Sequence, residues 1–556
     1  MKIILNTTKV ILLYAVLCVA GLMYSCQKPT EGIKVIINSS TLFPAPTVIK
    51  FTNADSTSAN KPGTFAVTIS GPGSSLVQMA SGGTNFQASN GIISLALTKD
   101  AHPTVANPVV FTVLATLPNF APILQNVTIT QNALSIYNVK ALEYAKPAQG
   151  TTVLTGIATG LNAGTLPAAY AITTPQTTTM TEQATVRFDG GTQMQDANGA
   201  TISAGALNFN VVQYGTNASA SIQALPGGTS TATAVTTSGV AINGNVNFVT
   251  AGLLQMNLDA GGVPVKKFSK PVSVSIELSS GLTNFATGKP IQAGDVIPYW
   301  SLNETTGQWK SEGNATLVVD SKGKLSAPIQ ISHLSCWSVG WTWGATGAYG
   351  TCGSSLNVTI NTSDPNFKGG PYNVLLETPD GTYLGGVQGV TISNGNVVTL
   401  SSVPGIAQAK IVVSGGIPYT SVQSNLFEPC SAGNVNITVP VSSNTVNVAV
   451  DILGLCNGKD LTILPSATFE LYQQTGSTYT DAGTLQLVNG KGTTGLQVGQ
   501  LYYLTTTYNG KDYTTDPFSV SKTDFTVPSP ALTLNAKYDA ASNTLNFTGS
   551  IPINCN

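Results

Sequence analysis

Beyond residue 26 apolar side chains fall at every second position along most of the chain. That period serves a half-buried β-strand and is useless to an amphipathic helix. In 271–279, Val272, Val274, Ile276 and Leu278 share one face, and Ser273, Ser275, Glu277 and Ser279 share the other. Val435, Ile437, Val439 and Val441 alternate with Asn434, Asn436 and Thr438. A polar turn at Ser442–Thr445 follows, then Val446, Val448, Val450 and Ile452 alternate again, which predicts a hairpin. Asn-Gly pairs recur at 90–91, 198–199, 243–244, 394–395, 457–458, 489–490 and 509–510. This dipeptide readily supplies the positive φ that tight hairpin turns need. Short alternating strands separated by such turns predict an all-β chain of tandem β-sandwich domains, immunoglobulin-like or transthyretin-like in type.

A length of 556 residues allows three to five such domains. Hydrophobic residues make up 42% of the chain, enough for packed cores, while charged residues make up only 9%, against about 25% in ordinary soluble proteins. Of 24 basic residues only Arg187 is arginine. The chain therefore lacks the arginine-rich basic surface that phosphate and nucleic-acid recognition uses. The one basic cluster, Lys266, Lys267 and Lys270, reads as a solvated turn before a strand.

Segments are expected at 33–136, 150–343, 351–455 and 456–556, with Glu143–Gly150 and the small-residue stretch 344–350 as joins. The last two look like repeats. Ser443–Val448 precedes Cys456 at the same spacing as Ser542–Phe547 precedes Cys555, which gives a period of 99 residues. A period near 100 suits tandem sandwich domains arranged as a rod better than a thin solenoid.

The amino end has its own pattern. Lys2 and Lys9 lead into an almost unbroken apolar run from Val10 to Met23, closed by Tyr24, Ser25 and Cys26 before the chain turns polar. A positive start, a short apolar stretch and a small residue describe an export signal, and the run is shorter than the roughly 20 residues that span a bilayer. With cysteine next, the layout resembles a bacterial lipoprotein signal. The resemblance implies a signal peptide over 1–25, lipidation of Cys26, a tether over 26–32, and attachment to the cell envelope, at the outer membrane. The membrane is then a partner through the lipid. Loss of the two lysines would leave 22 basic against 25 acidic residues, a net charge of −3.

Exported chains can keep disulfides. Cys336, Cys352, Cys430, Cys456 and Cys555 remain after the signal and Cys26 are set aside. Pairing Cys352 with Cys430 and Cys456 with Cys555 keeps each bridge within one expected domain and leaves Cys336 free. Four cysteines nonetheless allow three connectivities, and buried thiols are the alternative.

No catalytic residue is assigned. The only histidines, His102 and His333, fall in different segments, and neither accompanies a nucleophile elbow. No metal-ligand spacing or phosphate-binding loop occurs, so no metal or cofactor is expected. Asp196 with Asn198, and Asp364 with Asn366, read as Asx turns rather than calcium loops. Ile331, His333, Ser335, Trp337, Val339, Trp341 and Trp343 would share one strand face. An aromatic stripe of that kind forms core as a rule, with His333 a structural histidine. The alternative is that Trp337, Trp341 and Trp343 stack on a sugar ligand. The Trp300–Trp309 hairpin is expected to pack on the His333–Trp337 strand as one core.

Two further resemblances bear on function. The order of Ala184–Gly205, Ala224–Gly228, Gly294–Trp300, Thr306–Trp309, Glu312–Gly313 and Ile331–Trp337 resembles the extracellular β-rich module of astroprincins and cartilage intermediate layer proteins. Ser338–Trp341 departs from the Asn and Asp usual there. Tyr372–Gly381, Ala467–Tyr472 and Leu496–Thr505 resemble strands of carboxypeptidase-regulatory-like or immunoglobulin-like modules. These resemblances imply a non-catalytic envelope protein with a structural, adhesive or partner-binding role, its partner an extracellular protein or a glycan. The alternative is a glycan-binding lipoprotein of a polysaccharide-uptake system.

Overall fold

The computed structural model describes residues 35–38 and 43–553, apart from 105, 217, 228–232, 243–245, 286, 345–350, 380, 401–402, 417–419, 459–460, 509–510 and 530–531. The chain is all-β and forms several β-sandwich units. Helix among the described residues amounts to single turns such as Ser219–Gln223 and Pro429–Ala432.

The first, third and fourth units repeat one plan. In each, the first strand pairs in parallel with the last: Thr47–Asn53 with Ser135–Ala141, Leu356–Thr362 with Asn434–Val439, and Thr445–Cys456 with Thr544–Ile553. In each, the first strand also pairs antiparallel with the strand that follows an Asn-Gly turn, namely Ile92–Leu97, Asn396–Leu400 and Lys491–Gln497. The turn glycines bond to the first strand. The amide of Phe51 donates to Gly91 O at 2.7 Å, that of Ile452 to Gly490 O at 2.8 Å, and that of Gly395 to Ile360 O at 2.9 Å.

At two of these turns, Gly91 and Gly490, a Cβ would also run into the first strand. Gly490 has φ +77°, and a Cβ there would lie 2.4 Å from Ile452 O. Gly490→Ala is expected to cost about 1–3 kcal/mol, read from urea denaturation. Gly476→Ala is the control, because Gly476 also has positive φ but faces open space. Equal losses in the two variants would refute the close-approach argument.

This plan corrects two expectations. The alternating runs around Ser442–Thr445 are not a hairpin. Asn434–Val439 closes a sheet of the third unit, and Thr445–Cys456 opens a sheet of the fourth. The 99-residue period is likewise not a domain repeat, since its two copies lie side by side as the first and last strands of one unit. Strand Thr445–Cys456 runs without a break through the expected boundary at 455–456.

The second unit is larger and differently built. One eight-stranded sheet runs Thr151–Thr159, Ala206–Tyr214, Val246–Ala260, Cys336–Gly344, Val296–Leu302, Trp309–Thr316 and Ala234–Val235, with Val263–Pro264 beside Val246–Ala260. Tyr170–Thr173, Ala184–Phe188, Lys267–Glu277, Leu325–His333 and Val318–Val319 form the facing sheet, with Met194–Gln195 attached. Lys267–Glu277 carries the expected alternation, with one exception. Glu277 is buried, where its carboxylate accepts from Lys322 Nζ at 2.9 Å and from the Gln183 amide at 2.9 Å.

The units are packed together and do not form a rod. Val35–Asn38 joins the sheet of the fourth unit, in parallel with Leu461–Leu464. Lys50, buried in the first unit, holds both oxygens of Asp481 in the fourth, at 2.8 and 3.0 Å. Burial in this contact pushes the Lys140 ammonium down in pKa and the Glu470 carboxyl up. The segment read as a linker is also structured. Glu143 is buried and accepts from Ser58 Oγ at 2.7 Å, Asn53 Nδ2 at 2.8 Å and Asn60 Nδ2 at 3.0 Å. The Ser58 bond leads the effects that hold its carboxyl below the usual range.

Candidate functional site: an aromatic strand and an inter-unit cleft

Strand Cys336–Gly344 lies between Val246–Ala260 and Val296–Leu302, so both of its edges are paired and both faces are covered. Trp337, Val339, Trp341 and Trp343 point to one face and enter the core shared by the second and third units. That core continues into Leu356, Val358 and Ile360, and Trp343 lies over Gly385 of the third unit.

Cross-strand partners point the same way, and Trp300 is opposite Ser338. Trp300 therefore projects away from Trp337. It joins Trp309 and Phe248 in a separate cluster against the first unit, with ring centroids 5.2 and 4.8 Å from Phe248. The expectation of one joint aromatic core is corrected: the two groups occupy opposite faces of one sheet. The turn at 303–309 ties this face to the first unit, where Thr112 Oγ1 donates to Thr306 O at 3.0 Å and Asn126 Nδ2 to Gly307 O at 3.1 Å.

The single aromatic stripe is corrected too. Ile331 and His333 end one strand in the facing sheet, and Trp337 belongs to the next strand, beyond a break at Leu334–Ser335. Ser335 Oγ donates to Leu302 O at 2.6 Å across that break. All five tryptophans are 5% exposed or less, so Trp337, Trp341 and Trp343 present no ring to a sugar. The indole N–H groups of Trp300, Trp337, Trp341 and Trp343 are buried with no partner among the described residues.

His333 is half-buried, 4.9 Å from the Trp337 ring and 3.8 Å from Glu312 Oε1. Burial lowers its pKa, the Glu312 charge opposes that, and Lys310 adds to it. Ser301 Oγ donates to Glu312 at 2.8 Å and not to the imidazole. This group thus lacks the hydroxyl-to-base bond that activates a serine nucleophile. His102 is exposed in the first unit. Burial drives the Cys336 thiol far above its ordinary pKa, which makes it a poor nucleophile.

Asp196 Oδ1 accepts from the amides of Asn198 and Ala200 at 2.9 Å, and Asp364 Oδ1 from that of Asn366 at 2.9 Å. Both are Asx turns. Among the described residues no three His, Cys, Asp or Glu side chains converge as metal ligands would. Cys352 and Cys430 are bridged, with Sγ–Sγ 2.08 Å and Cα–Cα 5.0 Å. Cys456 is disulfide-bonded, and Cys26 and Cys555 lie outside the described residues.

A cleft of about 670 Å³ opens where the first, third and fourth units meet. Its floor is the outer face of three adjacent strands of the fourth unit. Thr493, Ala449 and Asn546 form one cross-strand row, and Lys491, Asp451 and Thr548 form the next. Leu134 and Ile136 of the first unit and Lys368, Pro371 and Thr391 of the third form the walls. Sequence reasoning did not find this site. Its residues are scattered over four hundred positions and carry no motif, and only the packing of three units assembles them.

No protein-family model matches the chain, and no curated protein matches its sequence. The astroprincin-type and carboxypeptidase-regulatory-type resemblances therefore gain no support from family models. Distant likenesses to solved structures exist. The shaft pilin SpaA from Lactobacillus rhamnosus GG is 12% identical over 36% of this chain and 98% of its own, with a TM-score of 0.13. The Bacillus anthracis TIE protein is 10% identical over 72% and 74%, with a TM-score of 0.14. BcpA, the major pilin subunit of Bacillus cereus, is 12% identical over 71% and 98%, with a TM-score of 0.12. Likeness at this level carries no argument about what the present chain does.

Proposed function

We propose that the chain is a lipid-anchored, non-catalytic protein of the bacterial cell envelope, at the outer membrane, with a structural, adhesive or partner-binding role. The observation that supports this best is the shared apolar core of the second and third units, which takes in Trp337, Trp341 and Trp343. Together with the Lys50–Asp481 contact and the strand that Val35–Asn38 adds to the fourth unit, it packs several units against one another. Such packing suits presentation of a surface better than a chemical step. The anchor rests on the sequence layout ending at Ser25-Cys26.

Two measurements test the proposal. Labelled fatty acid is expected to enter the wild-type protein, and Cys26→Ala is expected to abolish the label. Protease added to whole cells is expected to degrade the protein. Label retained in the variant would sink the anchor, and full protection in cells with intact envelopes would sink the surface location.

A further inference from the structure

We propose that the cleft at the junction of the first, third and fourth units binds a short carboxylated oligosaccharide. Its volume of about 670 Å³ falls within the range of about 300–1,000 Å³ typical of small-molecule sites, which favour domain junctions. The floor offers hydroxyls from Thr493 and Thr548 and the amide of Asn546 on neighbouring strands. Short polar side chains in register present donors and acceptors at fixed spacing, as recognition of sugar hydroxyls requires. Leu134, Ile136 and Pro371 supply apolar wall for the C–H faces of pyranose rings.

Gln486 is fixed beneath the cleft and belongs to its support. Thr468 Oγ1 donates to its Oε1 at 2.7 Å, which fixes the amide. Its Nε2 is then buried with no partner among the described residues, although Gln486 lines the cleft. That nitrogen has almost no accessible surface, so a ligand in the cleft does not reach it.

Charge narrows the ligand class. Asp451 is the carboxylate lining the cleft, and Lys491 lies 3.9 Å from it. Lys368 is exposed on the opposite wall, and its ammonium has no ion-pair partner among the described residues. The cleft thus has one uncompensated positive charge, which selects a carboxylate-bearing sugar over a neutral one. An extended peptide is disfavoured. The floor is a sheet face whose strands are already paired with one another, so it offers no edge for strand addition. The walls are held close by Gly389, with φ +71°, where a Cβ would come within 2.5 Å of Ile136.

The test uses the intact chain in detergent micelles and isothermal titration. The probes are tri-galacturonate and a hyaluronan tetrasaccharide, with maltotetraose and cellotetraose as neutral counterparts. At least one carboxylated probe is expected to bind saturably, and at least tenfold more tightly than either neutral probe. Lys368→Ala is expected to remove that preference, and Asn546→Ala, at an exposed amide of the floor, to weaken binding about tenfold. Lys368 is exposed, so its variant is expected to melt like the wild type and keeps the test independent of folding. The proposal is overturned if no probe binds, if neutral probes bind as tightly, or if both variants bind like wild type. Failure here leaves the anchor and surface assays untouched, because they do not depend on the cleft.

Discussion

Trp337→Ala is expected to destabilise the second unit by about 3–5 kcal/mol, as for other large buried aromatics. The ring is 1% exposed and belongs to the core shared with the third unit. The strand that carries it is paired on both edges, so the backbone has little freedom to collapse into the void. For a unit of this size the loss amounts to a midpoint shift of roughly 6–20 °C in thermal melting. Trp337→Phe is expected to lose clearly less. It keeps most of the apolar ring, and the indole N–H it removes has no partner among the described residues. The Ala variant is expected to loosen the third unit as well, through Trp343 and the shared core. Hydrogen exchange over 356–362 reports that coupling. An Ala variant that melts within 1 kcal/mol of wild type would refute the core assignment.

The strand period was legible because it depends only on which side chains can share a face. Val272, Val274 and Ile276 are buried, as their spacing requires. Pairing was not legible, because alternation says which face a strand buries and not which strand lies beside it. Asn434–Val439 and Thr445–Cys456 therefore read as a hairpin, although each belongs to its own sheet. The same gap misread the 99-residue period. Two similar strands at that distance fit either the same strand of successive units or the first and last strands of one, and only the parallel register decides. The Asn-Gly pairs at 90, 394 and 489 held the missing information. Each sits one strand away from a first strand in three separate units.

The candidate site was less legible still. A tryptophan stripe attracts attention as a ligand platform, but the small residues between the rings, Ser338, Gly340 and Thr342, can be covered as well, as a central strand needs. Burial decided that question. The cleft depends on the first unit docking against the third and fourth. Residues such as Lys50 and Asp481, 431 positions apart, give no local signal of that contact.

The Cys352–Cys430 bridge is expected to be the other large contributor to stability. Its two cysteines are 78 residues apart. In the chain-entropy model a loop of that length stabilises by about 4.5 kcal/mol, within the 2–5 kcal/mol commonly lost when such bridges are removed from small domains. Cys352 precedes strand Leu356–Thr362, and Cys430 lies in the turn of helix before Asn434–Val439. Those strands are parallel neighbours. The bridge thus joins first and last strands that the folded unit already holds together, and it acts mainly by restricting the unfolded chain. A reductant is the wrong tool, because Cys456 is also disulfide-bonded. The double variant Cys352→Ser, Cys430→Ser isolates the effect. Urea denaturation of that variant should show the loss, and exchange should rise over 356–439 while 47–141 is unchanged. Non-reducing peptide mapping should recover Cys352 linked to Cys430 and Cys456 linked to Cys555, with the buried Cys336 alkylated only after unfolding. A Cys430–Cys456 link would overturn the connectivity. A double variant as stable as wild type would show that the paired strands alone hold the unit closed.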